Sequence, residues 1–251
     1  MLGKIPAARQ EIINRIAARA RRTGRHGLPV APDRFARAYY HGVSELDLVQ
    51  RDVGDLAGAA LAQLALGRVR RPGRPAVRVF NPDPARDGFA SSHTVIAVIT
   101  DDMPFLVDSL GIVCTQSGLA VHLLAHPLFN AVRDRRGRLT DLVPGDAPRG
   151  AKVESWQLIE VDREADPERL AALERRIRGT LDDVRCATAD WQRMRLKARE
   201  VASELGRRRP RRRTSEVSEA IALLEWMEDN HFTFLGYREY VLSAEGEQLE
   251  P

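Results

Sequence analysis

Cysteines and long apolar runs are scarce in this sequence. Its 251 residues include two cysteines, Cys114 and Cys186, each inside an apolar pattern. Two thiols cannot form a disulfide framework or a four-cysteine zinc site, so we expect two buried free thiols. The longest apolar runs, such as TVIAVIT, are far shorter than the roughly 20 residues that span a bilayer. The first stretch, MLGKIPAARQEIINRIAARARR, also lacks the apolar core of a secretion signal, so we expect a cytoplasmic protein without membrane association.

The common catalytic and cofactor motifs are missing as well. The sequence has no GxGxxG after a strand, no GxxxxGK followed by Ser or Thr, no HExxH, and no Ser or Cys in a nucleophile-type turn. His122 and His126 would lie about 13 Å apart along a strand, which is too far to share a metal ion. We therefore predict no catalytic residue, no metal site and no cofactor in this segment.

The excess of positive charge lies in one short tract. The chain has a net charge of +4, and removing the six arginines of GRRRPRRR at residues 206–213 leaves −2. The tract has no interleaved aromatic residues and is broken by Pro210, which favours a solvated linker over a nucleic-acid site. Binding of RNA, DNA or an acidic partner through residues 207–213 is the weaker alternative.

The composition is that of a globular protein with several modules. Hydrophobic residues make up 43% and charged residues 29% of the chain, whose length suits one large or two modest domains. Proline and glycine in RRPGRPAVRVFNPDPARDGFASSH mark a boundary. The predicted division is a helical N-terminal subdomain at 1–70, a linker at 71–92, an α+β domain at 93–190, a helix and arginine-rich linker at 191–214, and the start of a following module at 215–251.

Helical patterns fill the first part of the chain. Isoleucines at helical spacing predict a helix over residues 5–22, and PDRFARAYYHGV predicts a second over residues 32–43. A third helix is predicted as one continuous element from a cap at Ser44 to Gly67, because its apolar stripe has a period near 3.6 residues.

From His93 onwards the sequence predicts strand, helix, strand, strand, helix, strand. HTVIAVIT is the first strand, the first helix runs from Pro104 to Ser117, and LAVHLLAHPLFNAVRD is one long second strand. KVESWQLIEVDR is the third strand, a helix opens at Asp166 and Pro167, and DVRCATA is strand four. Two helices on one side of a four-stranded antiparallel sheet form the ferredoxin-like βαββαβ fold of the α+β class.

Both faces of this sheet are predicted to be apolar. Alternation along the strands divides the apolar residues into one face with Ile96, Val98, Leu124, Trp156 and Leu158 and another with Val95, Ile99, Val121, Leu123 and Ile159. A sister domain, another subunit or the N-terminal helices must therefore cover the second face.

The stretch ITDDMPFL contains the main candidate site. Paired carboxylates such as Asp101 and Asp102 can hold a metal ion, but no other hard ligands lie at a recognised spacing. The favoured interpretation is that one aspartate caps the helix begun by Met103 and Pro104. In a compatible interpretation, the N–H groups of the first helical turn bind the carboxylate of a small ligand and an aspartate binds its ammonium group. The candidate ligand-binding residues are Asp101, Asp102, Met103, Pro104, Phe105 and Leu106.

Six stretches of the chain carry a resemblance to a known family. RVFNPDP, ITDDMPFLVDSL, LAVHLLAHP, ESWQLIEVDR, DVRCATADWQRM and ALLEWMEDNHFTFLGYREY, in this order over residues 77–240, resemble the N-terminal region of the large bacterial NAD-specific glutamate dehydrogenases. The resemblance implies a long chain whose catalytic domain and NAD site lie C-terminal to this segment. It also implies ACT-like regulatory domains, which are ferredoxin-like modules that bind amino acids and pair with one another. DDMPFLVDSL is similar to the ACT pattern before the first helix, with Phe105 standing where that pattern usually has glycine.

The resemblance leads to two functional hypotheses. In the first, the chain is a non-catalytic regulatory and assembly segment of an NAD-dependent glutamate dehydrogenase, which converts L-glutamate to 2-oxoglutarate and ammonium, and it senses an amino acid. Its partners are then its own C-terminal catalytic region and the other subunits of a homo-oligomer. In the alternative, Phe105 closes the ligand pocket and the chain is a purely structural oligomerisation module.

Overall fold

The chain forms two compact units, residues 1–182 and residues 183–251. The computed structural model describes residues 7–24, 30–148, 150–207, 215–242 and 249–250.

In the described part of the larger unit, four helices precede the main sheet: α1 (Ala7–Thr23), α2 (Pro32–Tyr39), α3 (Glu45–Val49) and α4 (Val53–Leu66). The prediction of one continuous helix over residues 44–67 is wrong, because α3 ends at a C-cap at Gln50. The Asp52 carboxylate then starts α4 by accepting hydrogen bonds from two backbone N–H groups of its first turn. The break leaves Leu46 and Val49 exposed instead of in a buried stripe.

The main sheet has six strands, and all of its pairings are antiparallel. The strands are β1 (Ala76–Phe80), β2 (Thr94–Asp101), β3 (Val121–Ala125), β4 (Leu128–Arg133), β5 (Leu139–Val143) and β6 (Lys152–Val161). The order is β1-β2-β6-β4-β5, and β3 also pairs with β6. The helices between and after these strands are α5 (Pro84–Asp87), α6 (Leu106–Gln116) and α7 (Pro167–Thr188).

The predicted long second strand is divided into β3 and β4. The division falls at His126 and Pro127, where proline has no N–H to donate to a strand ladder. The two parts stay in line because both pair with β6, and the Pro127 carbonyl accepts a hydrogen bond of 3.0 Å from the Trp156 N–H.

The α+β class with an antiparallel sheet is confirmed, but the predicted fourth strand is wrong. Residues 183–188 continue α7, because the apolar spacing of Leu173, Ile177 and Leu181 keeps a helical period to the end of that segment. The sheet edge beside β2 is instead occupied by β1, which lies in the stretch expected to be a linker. The strand at this edge of the sheet therefore comes before the others in the chain.

Helices cover both faces of the sheet. The side chains of Val95 and Ile99 belong to one core with α1, α2 and α4, so the N-terminal helices are the cover that the sequence required. The other face packs on α6 and α7, whose buried apolar residues lie outside that core. The predicted division of the faces is wrong for β6, because strand pairing sets Trp156 opposite Ile99 and therefore on the same face.

The smaller unit contains the end of α7, helices α8 (Trp191–Arg207) and α9 (Ser215–Trp226), a π-helical turn (Met227–His231), and the short strands β7 (Val241–Leu242) and β8 (Leu249–Glu250). Glu228 binds Arg195 at 2.7 Å and Arg199 at 2.6 Å. Cys186 is exposed, so the expectation of two buried thiols holds only for Cys114, whose pKa is raised by burial. Most of the arginine tract, residues 208–213, lies outside the described residues.

Candidate ligand site at the β2–α6 turn

The candidate residues lie together where β2 passes into α6. Asp101 ends β2, residues 102–105 form the turn, and Leu106 opens α6. The N-cap of α6 is Phe105, whose side chain makes no capping hydrogen bond. The predicted cap by Asp101 or Asp102 is therefore wrong, and the helix begins later than expected.

The side chains of the turn differ in exposure. Leu106 is buried and belongs to the apolar interior, so it offers a ligand only its backbone. Met103 is half-buried, whereas Pro104 and Phe105 are exposed. A ligand at this turn would therefore meet backbone groups, Pro104 and Phe105 from the solvent side.

Phe105 has a backbone conformation that favours glycine. Its φ of 67° is left-handed, and no other non-glycine residue among those described has a positive φ. For an L-residue this conformation costs about 1–2 kcal/mol. Phe105 therefore has the backbone conformation expected of the glycine that usually stands at this position of the ACT pattern. Residues strained in this way are frequent at functional sites.

Asp101 is held by a buried ion-pair network. Its carboxylate lies 2.5 Å from Arg70 Nη2, and Arg70 also donates to Glu154 Oε1 at 2.7 Å. Arg133 binds the same carboxylate of Glu154 at 2.6 Å and 2.8 Å, and Trp156 Nε1 donates to it at 3.1 Å. Asp101 is thus paired within the protein, which leaves Asp102 as the aspartate that faces a ligand.

Glu154 is the centre of this network and is almost fully buried, with 1% of its surface exposed. Burial opposes its ionisation, but hydrogen bonds and charge from Arg133 and Arg70 outweigh burial and lower its pKa below the usual value. The pKa of Arg70 is raised despite burial, because Glu154 and Asp101 stabilise its charge. Glu154 and Arg70 are therefore charged at neutral pH.

Asp102 and His126 influence each other's ionisation. Partial desolvation raises the pKa of Asp102, while His126 and the Met103 N–H oppose the shift. Partial desolvation lowers the pKa of His126, and Asp102 opposes that shift. His126 Nε2 also lies 3.0 Å from the Ser155 hydroxyl, which joins the segment between β3 and β4 to β6.

Beneath the turn lies a cluster of buried polar side chains. Thr100 and Ser155 pair across β2 and β6, and Gln157 Nε2 donates to the Ser155 hydroxyl at 3.0 Å. Thr100 Oγ1 and Gln157 Oε1 are buried and have no hydrogen-bond partner in the described part of the chain. Buried polar atoms are normally paired, so these two are available to a ligand or to water. Thr100, Ser155 and Gln157 are buried, whereas Asp102 and His126 beside them are exposed. We call these five residues the polar cluster.

Sequence reasoning placed one member of the polar cluster, Asp102, at the candidate site. It considered His126 only as a possible metal ligand and missed the other three. Two of the missed residues could have been found from the sequence. Ser155 and Gln157 alternate along a strand with apolar neighbours, which places both side chains on one buried face of the sheet. The pairing that brings Thr100 and His126 beside them depends on strand order.

The two histidines singled out in the sequence lie in separate surroundings. His122 Nε2 contacts Asp162 at 2.7 Å and its ring stacks on His93, while His126 contacts the polar cluster. The residues described here include no group of three or more His, Cys, Asp or Glu side chains arranged to hold a metal ion. Within the same residues, no helix has the length and apolar character needed to cross a membrane.

Comparison with known proteins identifies close similarity to one family. Residues 35–177 match the family model of the glutamate dehydrogenase ACT1 domain. The chain is 36% identical over 214 residues to the NAD-specific glutamate dehydrogenase of Pseudomonas aeruginosa and 38% identical over 210 residues to that of Halomonas elongata. It is 31% identical over 185 residues to the NAD-specific glutamate dehydrogenase of Mycobacterium tuberculosis.

The matches cover most of this chain but a small part of each relative. They span 85%, 83% and 70% of this chain, against 13%, 13% and 11% of the respective relatives. The resemblance seen in the sequence is thereby confirmed.

Proposed function

Because the chain belongs to the glutamate dehydrogenase family, with the family's ACT1 domain over residues 35–177, we propose that it is a regulatory and assembly segment of an NAD-dependent glutamate dehydrogenase. The parent protein would oxidatively deaminate L-glutamate to 2-oxoglutarate and ammonium, with NAD as the oxidant. This segment takes no chemical part in that reaction. The proposal includes a cytoplasmic location and a homo-oligomer in which the segment contacts the catalytic region.

Amino-acid sensing is assigned to the β2–α6 turn and the polar cluster beneath it. The first-turn N–H groups of α6 carry the positive end of the helix dipole and suit a carboxylate. Asp102, which is not paired with Arg70, suits the ammonium group. The observation that carries the proposal is the pair of buried, unpartnered acceptors, Thr100 Oγ1 and Gln157 Oε1, directly under a turn strained at Phe105.

NAD itself does not fit this segment. A dinucleotide site needs glycines in the first strand-to-helix turn of a parallel sheet, so that the backbone can approach the pyrophosphate. The turn between β2 and α6 reads DMPF and has no glycine, and the pairings of this sheet are antiparallel. We therefore assign the cofactor to other parts of the parent protein.

The ion-pair network offers a route from the turn to the N-terminal helices. Asp101 binds Arg70, which follows α4, and both Arg70 and Arg133 bind Glu154. Arg133 also donates to the carbonyl of Gly67, the C-cap of α4, at 2.9 Å. A ligand that shifts the turn changes the position of Asp101. It therefore favours one arrangement of the ion pairs that connect the turn with the end of α4.

Calorimetric titration of the 251-residue chain with a panel of amino acids tests the ligand proposal. We expect saturable heat with at least one amino acid, and loss of that heat in Asp102→Asn and in Thr100→Val. Asp146→Asn removes an exposed carboxylate outside the turn and should bind as the unchanged protein does. Phe105→Gly should bind at least as tightly, because it keeps the left-handed backbone and removes the side chain that narrows the turn.

An absence of amino-acid binding in this titration would refute the sensor proposal. If neither the unchanged chain nor Phe105→Gly gives heat with any amino acid, while light scattering shows a stable oligomer, the sensor proposal fails and the structural module remains. The parent activity is tested separately by following NADH formation from glutamate in the full-length protein. An absence of glutamate-dependent NADH formation would refute that part.

A further inference from the structure

A cavity of about 440 Å³ lies on the face of the sheet away from the β2–α6 turn. It is enclosed by α1 and α4 on one side and by β1, α5 and the sheet on the other. We call it the α4–β1 cavity. Its volume is within the range of roughly 300–1,000 Å³ that small-molecule sites occupy.

Small residues of α4 create this space. At Gly58 the helix approaches the next layer so closely that an added Cβ would lie 2.4 Å from the Gly88 carbonyl oxygen. Further along α4, Ala62 and Ala65 line the cavity with side chains of a single carbon atom. The helix thus approaches its neighbours closely at Gly58 and again at its C-cap Gly67, and the cavity is lined by the small residues between these two points.

The floor of the α4–β1 cavity is apolar. Phe80 and Phe89 are both buried and meet edge to face, with ring centroids 6.3 Å apart. Leu66 and Leu158 complete the floor. The Arg78 guanidinium covers one face of the Phe80 ring at 3.7 Å from its centroid, and the apolar side chains beside this pair suit a hydrocarbon chain.

The rim of the cavity is strongly positive. The four arginines that line it are Arg19, Arg68, Arg78 and Arg86, and the acidic lining residue is Asp87. Asp87 binds Arg78 at 2.6 Å and Arg86 at 3.2 Å. Burial opposes its ionisation, but hydrogen bonds from the Asp83 N–H and from these two arginines lower its pKa. With four positive charges against one negative charge, the rim attracts an anion.

One residue of the cavity lining has a buried acceptor without a partner. Gln63 is 1% exposed, lines the cavity, and is fixed because its Nε2 donates to the carbonyls of Val98 and Gln157 at 3.3 Å and 3.0 Å. Its Oε1 has no hydrogen-bond partner within the described segments. An occupant with an N–H or O–H donor would satisfy this atom.

We propose that the α4–β1 cavity is a second binding site, for a small organic anion with an apolar body. The carboxylate or phosphate of the ligand pairs with the arginine rim, because guanidinium groups match the geometry of both anions. The body of the ligand lies against the apolar lining beside the Arg78–Phe80 pair. This site is separate from the β2–α6 turn, so the proposal does not depend on whether an amino acid binds at that turn.

Ligand-observed saturation-transfer NMR on the 251-residue chain tests the proposal. The probes are hexanoate, hexyl phosphate, and hexylamine, which has the same body and the opposite charge. We expect saturable binding of hexanoate, hexyl phosphate or both, with hexylamine at least about tenfold weaker, as expected when charge-assisted hydrogen bonds are lost. Comparison of the two anions shows whether the rim prefers a carboxylate or a phosphate.

Two variants locate the binding, and a third serves as the control. Arg19→Gln/Arg68→Gln removes two rim charges and should weaken anion binding by about tenfold. Arg21→Gln/Arg71→Gln removes the same charge from exposed positions outside the cavity lining and should not change it. Ala62→Phe should abolish binding by filling the cavity.

Three results would overturn the proposal: no binding of either anion, equal binding of hexylamine, or equal losses in the rim variant and its control. The rim variant changes exposed side chains, so the test remains decisive if Ala62→Phe does not fold.

Discussion

Replacement of Glu154 by glutamine should destabilise the larger unit strongly. The Glu154 carboxylate is buried and accepts five hydrogen bonds from Arg70, Arg133 and Trp156. Glutamine keeps one oxygen, loses the negative charge between two arginines, and points an NH2 group at groups that are themselves donors.

The magnitude follows from the bonds that disappear. If the amide oxygen takes the place of Oε1, the two bonds at Oε2 are lost, from Arg133 at 2.8 Å and Trp156 at 3.1 Å. Each bond to a buried charged group contributes about 1.5–3 kcal/mol, and loss of one partner of a buried ion pair costs about 3–5 kcal/mol. We therefore expect the free energy of unfolding to fall by about 3–5 kcal/mol at pH 7.

Urea unfolding followed by tryptophan fluorescence measures this change. Trp156 is the only tryptophan before residue 183, so a background with Trp191→Phe and Trp226→Phe reports on the larger unit alone. Glu11→Gln removes an exposed carboxylate from α1 and should leave the urea midpoint almost unchanged.

The effect of Glu154→Gln should also depend on pH. The folded pKa of Glu154 is lowered, so its ionisation stabilises the fold fully above the ordinary glutamate pKa of about 4.3, and this stabilisation disappears as pH falls through the lowered value. The difference between the unchanged protein and the variant should therefore be constant near neutrality and shrink in acid. A difference below about 1 kcal/mol at pH 7, or one that grows in acid, would refute the reasoning.

Three further changes test individual contacts in the same urea assay. Gly67→Ala should cost about 1–3 kcal/mol, because its Cβ would lie 2.1 Å from Cη2 of the buried Trp156 ring, and an unchanged midpoint would contradict this close approach. Phe105→Gly should be more stable than Phe105→Ala by about 1 kcal/mol, because a φ of 67° favours glycine over alanine. A glycine variant less stable than the alanine variant would show that the left-handed turn is not present. Tyr40→Phe should cost about 1–2 kcal/mol by leaving the Leu56 carbonyl, now bonded at 2.7 Å, without its donor, and a neutral effect would mean that water replaces the hydroxyl.

The local spacing of apolar residues predicted individual helices and strands better than it predicted which strands pair in the sheet. The strand at β2, the helices α6 and α7, and the class of the fold could all be predicted because their apolar spacing is regular. The fourth strand could not be predicted correctly, since residues 183–188 contain residues that suit either structure and the helix before them simply continues. The role of β1 as an edge strand depends on its pairing with β2, which no local pattern contains.

The candidate site shows the same limit. The position of the turn, and the place of Phe105 at a glycine position, could be predicted from the order of residues along the chain. The network that pairs Asp101 with Arg70 and Glu154 could not, because these residues are separated by long stretches of sequence and meet only after β2 and β6 pair.

The position of β1 also determines when the sheet can be completed during synthesis. β1 pairs with a strand that begins a short distance later in the chain, with Phe80 opposite Val95, whereas an edge strand at residues 183–189 would have had to return from far downstream. Within the described residues, the last strand of the main sheet ends at Val161. Short chain separation lowers the entropic cost of closing an edge, and domains fold as they leave the ribosome. The sheet can therefore be complete and its edge closed before α8 and everything after it have been made.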